Sequence, residues 1–224
     1  MFRHTRKQFN ALSMIILAFV VSFISGCAPT KHMAINEETQ TLDTNNESIA
    51  LMTIKTSNQL VPAYQPEVYE LHVWSTGKEK AQEYIFKVDE PYNSVEKEFY
   101  EYMASIKLPP GKYTFQQIYG KAYIGLAYGR FFVPIYADFE LEPNQVVYIG
   151  HIEAVNKKRV YASEVPAGPS LPWVSQSVTG FRLGTFDVKI HDNYDKDLAL
   201  FKQTYPVLGT CAVEKVVLTL GNQR

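Results

Sequence analysis

The chain has 224 residues, 22 basic and 23 acidic, and a formal charge of −1; 46% of its residues are apolar, and its length suffices for one domain with a full core. A charge balance this close to neutral offers no basic surface for nucleic acid, which is excluded as an expected partner. With only two cysteines, the fold cannot rest on a disulfide framework.

The N-terminus is basic, with Arg3, His4, Arg6 and Lys7, and an apolar run follows from Ala11 to Ile24. That run is too short to cross a bilayer as an ordinary helix but suits the apolar region of a signal peptide. It closes on Ile24-Ser25-Gly26-Cys27: an aliphatic residue, a small one, glycine and cysteine. This tetrapeptide resembles the lipobox of bacterial lipoproteins. The resemblance implies that residues 1–26 are removed, that Cys27 carries a diacylglycerol on sulfur, and that its new amino group is acylated. Each buried methylene contributes about 0.8 kcal/mol, so two or three acyl chains give firm anchoring, with the protein held to the membrane and not spanning it. The other reading is an ordinary secretory signal with an incidental cysteine. Ala28 stands where, in the Gram-negative pattern, an Asp would favour the inner membrane. The resemblance therefore implies the outer membrane, facing the periplasm or the cell surface; a Gram-positive cell would hold the protein on the outside of its single membrane.

Loss of Arg3, Arg6 and Lys7 with the signal leaves 19 basic against 23 acidic residues, a formal charge of −4, so the acyl chains and not anionic lipid supply membrane attachment. Residues 27–48 turn polar, with Asn36-Glu37-Glu38-Thr39-Gln40-Thr41 and Asp43-Thr44-Asn45-Asn46-Glu47. They are expected to form a flexible tether reaching roughly 60–70 Å; a short helix from Ile35 to Leu42 is the alternative.

Residues 49–224 form one expected domain. Short β-rich runs separated by turn signals predict a mainly β fold, an antiparallel β-sandwich. Tyr69, Leu71 and Val73 alternate within Val68 to Trp74, and Tyr84, Phe86 and Val88 repeat the pattern after Thr76-Gly77-Lys78, giving one hairpin. Phe99 to Leu108 and Tyr113 to Tyr119, separated by Pro109-Pro110-Gly111, give a second. A third is read across Glu142-Pro143-Asn144-Gln145, from Val133–Leu141 into Val146–Ile152. Pro134 places its strand at an edge or beside a bulge. Phe186, Val188 and Ile190 mark another strand, and Val213 to Leu220 a last one. The long loop is Ala162 to Gly180. A single helix is predicted from Asp195 to Tyr205, with an apolar stripe of Tyr194, Leu198, Phe201 and Tyr205, Asp192 or Asn193 as cap and Pro206 as stop. Cys211, in small apolar company, reads as a buried inert thiol; an intermolecular disulfide or a reactive thiol are the alternatives.

Leu108-Pro109-Pro110-Gly111-Lys112-Tyr113, Val147-Tyr148-Ile149-Gly150, and Asp192-x-Tyr194-x-x-Asp197 with Phe201 and Tyr205-Pro206 together resemble a group of uncharacterised bacterial lipoproteins. The likeness spans about residues 100–210. It implies a sandwich similar to prealbumin-like or carboxypeptidase-regulatory modules, in which a Pro-Gly-x-Tyr turn introduces a strand. The group carries no activity to transfer.

No catalytic residues, cofactor or metal are assigned. Ser75-Thr76-Gly77-Lys78 and Ser94-Val95-Glu96-Lys97 match a Ser-x-x-Lys spacing, but the first falls in a hairpin turn and the companion motifs are missing. Three strand histidines, His72, His151 and His191, would form a metal site only if their strands brought them together. Asp192, Asp195 and Asp197 fit a calcium reading less well than a helix start, where acidic residues offset the helix dipole.

The stretch from Tyr119 to Arg130, expected to connect two strands, interleaves Tyr, Gly and basic residues. Tyr119, Tyr123, Tyr128 and Arg130, with Trp173 on the long loop, are the candidate contact residues, because rings and guanidinium groups bury large area with few rotors. The leading functional expectation is a lipid-anchored envelope protein with a non-catalytic interaction or structural role and an envelope protein as partner. Binding of a glycan, peptide or small ligand is the alternative, and a metal-dependent hydrolase a more distant one.

Overall fold

The computed structural model describes residues 29–77 and 81–221. Residues 1–26, expected as a signal peptide, and Cys27 lie outside the described residues. The fold is mainly β, two mixed sheets packed face to face as a sandwich. The first sheet has the order β1-β4-β3-β7-β8: β1 is Thr30–Lys31, β3 Glu67–Thr76, β4 Glu83–Lys87, β7 Gly111–Ile124 and β8 Ala127–Leu141. The second runs β10-β9-β2-β6-β5, with β2 Ser48–Asn58, β5 Asn93–Val95, β6 Phe99–Leu108, β9 Val146–Lys158 and β10 Gly184–His191. The sandwich is not purely antiparallel: β1 runs parallel to β4, and β2 parallel to β9.

Alternation decides which side chains enter the core. Leu71 and Val73, Phe115 and Ile118, and Phe131 and Val133 meet Met52 and Ile54, Ala104 and Ile106, and Ile152 and Ala154 from the facing sheet. Full burial of each large apolar side chain contributes about 1.5–3 kcal/mol. β2 is buried on both faces because a second, smaller cluster of Ile35, Ile49, Leu51, Met103, Val146, Phe201 and Leu208 covers the outside of its sheet. Phe201 comes from helix α2 (Tyr194–Thr204), which lies where the predicted helix was expected. Among the described residues no such layer covers the outer face of the first sheet, where Tyr69, Tyr123 and Tyr128 are exposed.

The β3–β4 hairpin is present. The second and third expected hairpins are not. β6 and β7 lie in different sheets, as do β8 and β9, so Pro109-Pro110-Gly111 and Glu142–Gln145 carry the chain across the sandwich. Alternation shows which side of a strand is apolar but not which sheet it joins. The Tyr113 hydroxyl donates to the Pro109 carbonyl at 2.6 Å and holds the first crossing. Pro134 sits on β8, an edge strand, beside a shift of register at Tyr136, whose φ is +49°. The expected last strand shrinks to β11 (Glu214–Lys215), parallel to β9.

Residues 30–35 correct the tether. Thr30 and Lys31 pair with Ile85 and Phe86, the Ala34 N–H donates to the Ser105 carbonyl at 2.7 Å, and Met33 and Ile35 are buried. The segment crosses from the β4 edge to β6 and belongs to the sandwich, because Met33 and Ile35 supply apolar surface that a polar average conceals. No helix forms between Ile35 and Leu42. On the other side, Ala167 closes the sandwich: its carbonyl accepts from Phe132 and its N–H donates to Gly184.

Candidate binding face

The stretch expected to connect two strands is instead the end of the longest hairpin. β7 and β8 pair from Gly111↔Leu141 to Ile124↔Ala127 and turn through Gly125-Leu126, with Gly125 at φ +59° in the first central position, as a type II′ turn requires. Its alternation is inverted relative to an ordinary strand. Gly120, Ala122 and Gly129 point inward, while Tyr119, Lys121, Tyr123, Tyr128 and Arg130 stand on the outer face. Small residues inside and rings outside conceal a strand from any search for buried bulk.

Lys121 and Arg130 are direct cross-strand partners, and Glu67 is the partner of Lys121 on β3. The Lys121 Nζ lies 5.1 Å from the Tyr69 ring centre, 4.8 Å from Tyr123 and 5.9 Å from Tyr128. The Arg130 guanidinium lies 5.6 Å from the Tyr128 ring and 6.0 Å from Trp173. Such contacts contribute about 0.5–1 kcal/mol each at exposed sites. Two like charges directly opposite one another repel, and among the described residues neither cation forms a salt bridge. The Tyr123 hydroxyl beside Lys121 raises its ammonium above the usual range. A hydrogen bond from Arg130, then its charge and that of Lys121, draw the Tyr128 hydroxyl below the usual phenol range.

Trp173 reaches this face through the long loop. A short helix, α1 (Val174–Val178), forms inside that loop, and its buried Gln176 bonds both backbone groups of Arg130. The contact requires Gly129: a Cβ there would stand 2.3 Å from Thr179 Oγ1. At the far end of the loop, Phe181 packs on Phe131 and Phe186 at 5.3 and 6.3 Å between ring centres. All five sequence-selected residues thus gather on one face, with Tyr69, Lys121 and His72 as additions. His72, offered by the sequence as a metal ligand, lines this face, and Tyr69 leaves the face that alternation gives it with Leu71 and Val73, because a register shift between Val68 and Glu70 turns it outward.

A shallow cavity of about 400 Å³ opens beside the ladder, lined by Tyr69, Glu70, His72, Tyr119, Lys121, Tyr128 and Arg130 among others. Its floor is ordered. His72 Nδ1 lies 2.8 Å from Glu83 Oε1, and its ring stands 4.4 Å from that of Tyr119, whose hydroxyl accepts from Gln117 at 2.5 Å. Burial pushes the Glu83 carboxyl up, but hydrogen bonds from His72 and Trp74 outweigh it and hold the group below the usual range. Burial raises Glu67, offset in part by Lys121.

The three histidines do not converge. His72 lies on the outer face of the first sheet, whereas His151 and His191 pair across β9 and β10 in the second. Among the described residues no group of three His, Cys, Asp or Glu side chains could hold a metal ion. The three aspartates separate as well: Asp192 pairs with Lys215 at 2.8 Å, while Asp197 is buried and accepts from Thr53 at 2.5 Å and Tyr148 at 2.6 Å. Cys211 is a free thiol and only half-buried, its pKa raised by burial. Among the described residues no helix is long and apolar enough to cross a membrane. Comparison with protein-family models, curated proteins and solved structures finds no match for this chain.

Proposed function

We propose that the protein is a non-catalytic, lipid-anchored module of the cell envelope that engages another envelope protein through the aromatic and cationic face of its five-stranded sheet. The observation that carries this reading is the uncovered ladder Tyr69, Lys121, Tyr123, Tyr128, Arg130 and Trp173, built from β3, β7, β8 and the α1 loop. Aromatic rings have few rotors to lose on binding, and tyrosine, tryptophan and arginine are the residue types that concentrate binding energy at protein interfaces. The anchor follows from the lipobox-like Ile24-Ser25-Gly26-Cys27.

A crosslinking pull-down from native envelope tests the reading, with wild type beside a Tyr123→Ala/Tyr128→Ala double variant and Trp173→Ala, each shown to keep its thermal transition. One discrete partner, lost from the variants, is expected. No partner with wild type, under conditions that capture a known envelope complex, would sink it. A second reading, glycan binding, draws on the cavity beside the ladder, where exposed rings and the carboxylate of Glu70 meet in one concavity. Saturable binding of purified wall or surface glycans, absent from the same variants, would favour it.

A further inference from the structure

We propose that the outer edge of β10 is a self-association surface, on which a second copy of the chain pairs antiparallel about a two-fold axis at Val188 and joins the two second sheets into one. This edge belongs to the other sheet from the ladder, and its use does not depend on the anchor.

β10 differs from the other edges of the sandwich. β1 and β5 have only two and three residues, and β8 is interrupted by Pro134, the irregularity at Tyr136 and the Gln176 cap on Arg130, all of which keep a strand from pairing sideways. β10 runs for eight residues and pairs on one side, with β9. Two bonds fix its phase: Arg159 donates to the Leu183 carbonyl in continuation of the β9 register, and Ala167 donates to the Gly184 carbonyl from the opposite side. Antiparallel partners exchange backbone bonds at every second residue. Thr185, Asp187 and Lys189 therefore face β9 with their N–H and C=O groups, and Phe186, Val188 and Ile190 turn theirs outward, where no described residue bonds them.

The residues on this edge complement themselves. With the axis at Val188, Phe186 exchanges backbone bonds with Ile190 of the second copy and Val188 with its own counterpart, while Asp187 stands directly opposite Lys189 in the pairs whose side chains approach closest. Both charges can be reached. Lys189 is exposed and forms no ion pair among the described residues, and Asp187 meets Lys157 at 3.4 Å through Oδ1 alone, with its side chain 45% exposed. Shifting the axis by one residue puts Asp187 against Asp187 or Lys189 against Lys189, and like charges directly opposite are destabilising. The two charges thus select the register. A contact of one strand is smaller than a permanent interface, so the association depends on concentration, and each pair carries two ladders.

The test is sedimentation equilibrium, up to millimolar concentration, of a chain spanning residues 28–224 with Cys211→Ser, which keeps every described element and removes its thiol. This chain is expected to dimerise. Asp187→Lys and Lys189→Asp, each added alone, should raise the dissociation constant at least about tenfold. An equimolar mixture of the two variants, in which every opposed pair again carries opposite charges, should restore the dimer, as should both changes in one chain. Without either change, the amide protons of Phe186, Val188 and Ile190 should exchange several-fold more slowly at high than at low concentration, a readout that stands even where a variant fails to fold. A monomer at every concentration overturns the proposal, and so does a dimer that neither variant weakens or that leaves those three amides unprotected. Folded variants that weaken the dimer without recovery on mixing overturn the pairing about Val188.

Discussion

Gln176 pairs with Arg130 as a further strand would: its Oε1 accepts the Arg130 N–H at 2.7 Å, and its Nε2 donates to the Arg130 carbonyl at 3.0 Å. One side chain thus satisfies an edge-strand residue, protects that edge from pairing with another chain, and sets the position of Trp173 over the Arg130 guanidinium.

Replacing Gln176 with Leu should therefore act on stability and on the ladder together. Each backbone group left buried without a partner costs about 1–3 kcal/mol, and at this chain length each kcal/mol lowers the Tm by about 2–4 °C. With Trp74→Phe as background, Trp173 emission should shift to the red and become more open to acrylamide. A variant with unchanged Tm and emission would contradict this account of the loop.

Gly129 is required by close approach. Gly129→Ala places a methyl group 2.3 Å from Thr179 Oγ1 and 2.9 Å from its Cγ2, so α1 must move off β8. Overpacking of this kind costs about 1–3 kcal/mol. Thr179→Ala in the same chain should return part of that loss, a coupling readable in a double-mutant cycle of urea midpoints. Strict additivity would place the strain elsewhere.

Asp197 fastens α2 to the second sheet. Its Oδ2 accepts from Thr53 and Tyr148, and the Thr53 oxygen lies 2.7 Å from His151 Nδ1, which assigns the His151 proton to that nitrogen. Asp197→Ala leaves two buried hydroxyls without their charged acceptor and should cost about 3–5 kcal/mol. Burial holds His151 below its usual value of 6.5, with Asp197 opposing only in part. The unfolded chain therefore takes up a proton here before the folded one does. Stability should fall as pH drops through 6.5 toward the lower folded value, and that portion of the fall should vanish in His151→Gln. Urea melts at pH 7.5 and 5.5 measure it.

Ile35 separates a tether from a structural segment. Buried in the second cluster with Phe201 and Leu208, it should cost about 2–5 kcal/mol when changed to Ala. A chain begun at residue 36 should lose at least as much. Melting curves that match those of a chain begun at residue 28 would return residues 29–35 to the status of a linker.

Much of the fold was legible because alternation follows from the geometry of an extended chain. Leu71 and Val73, Phe86, Val133 and Phe139, and Phe186 and Val188 announce their buried faces in the sequence, and Asp192 to Pro206 carries both the stripe and the stop of a helix. Of the candidate face, Tyr119, Tyr123, Tyr128, Arg130 and Trp173 were selected by side-chain chemistry alone. Side-chain chemistry within that stretch does not single out Lys121, and alternation groups Tyr69 with Leu71 and Val73, because nothing local marks the β3 register shift.

By itself, then, the sequence determined strand faces, the helix Tyr194–Thr204 and the ring-rich composition of one stretch, all properties of residues within a few positions of each other. The tertiary structure decided the rest. Sheet membership turned two expected hairpins into crossings, pairing of Thr30 and Lys31 with β4 and burial of Met33 and Ile35 drew the start of the expected tether into the sandwich, and pairing of Lys121 with Arg130 beneath a loop held by Gln176 turned scattered candidates into one face. These outcomes depend on contacts between residues tens of positions apart, whose free energy is gained only when the whole sandwich closes.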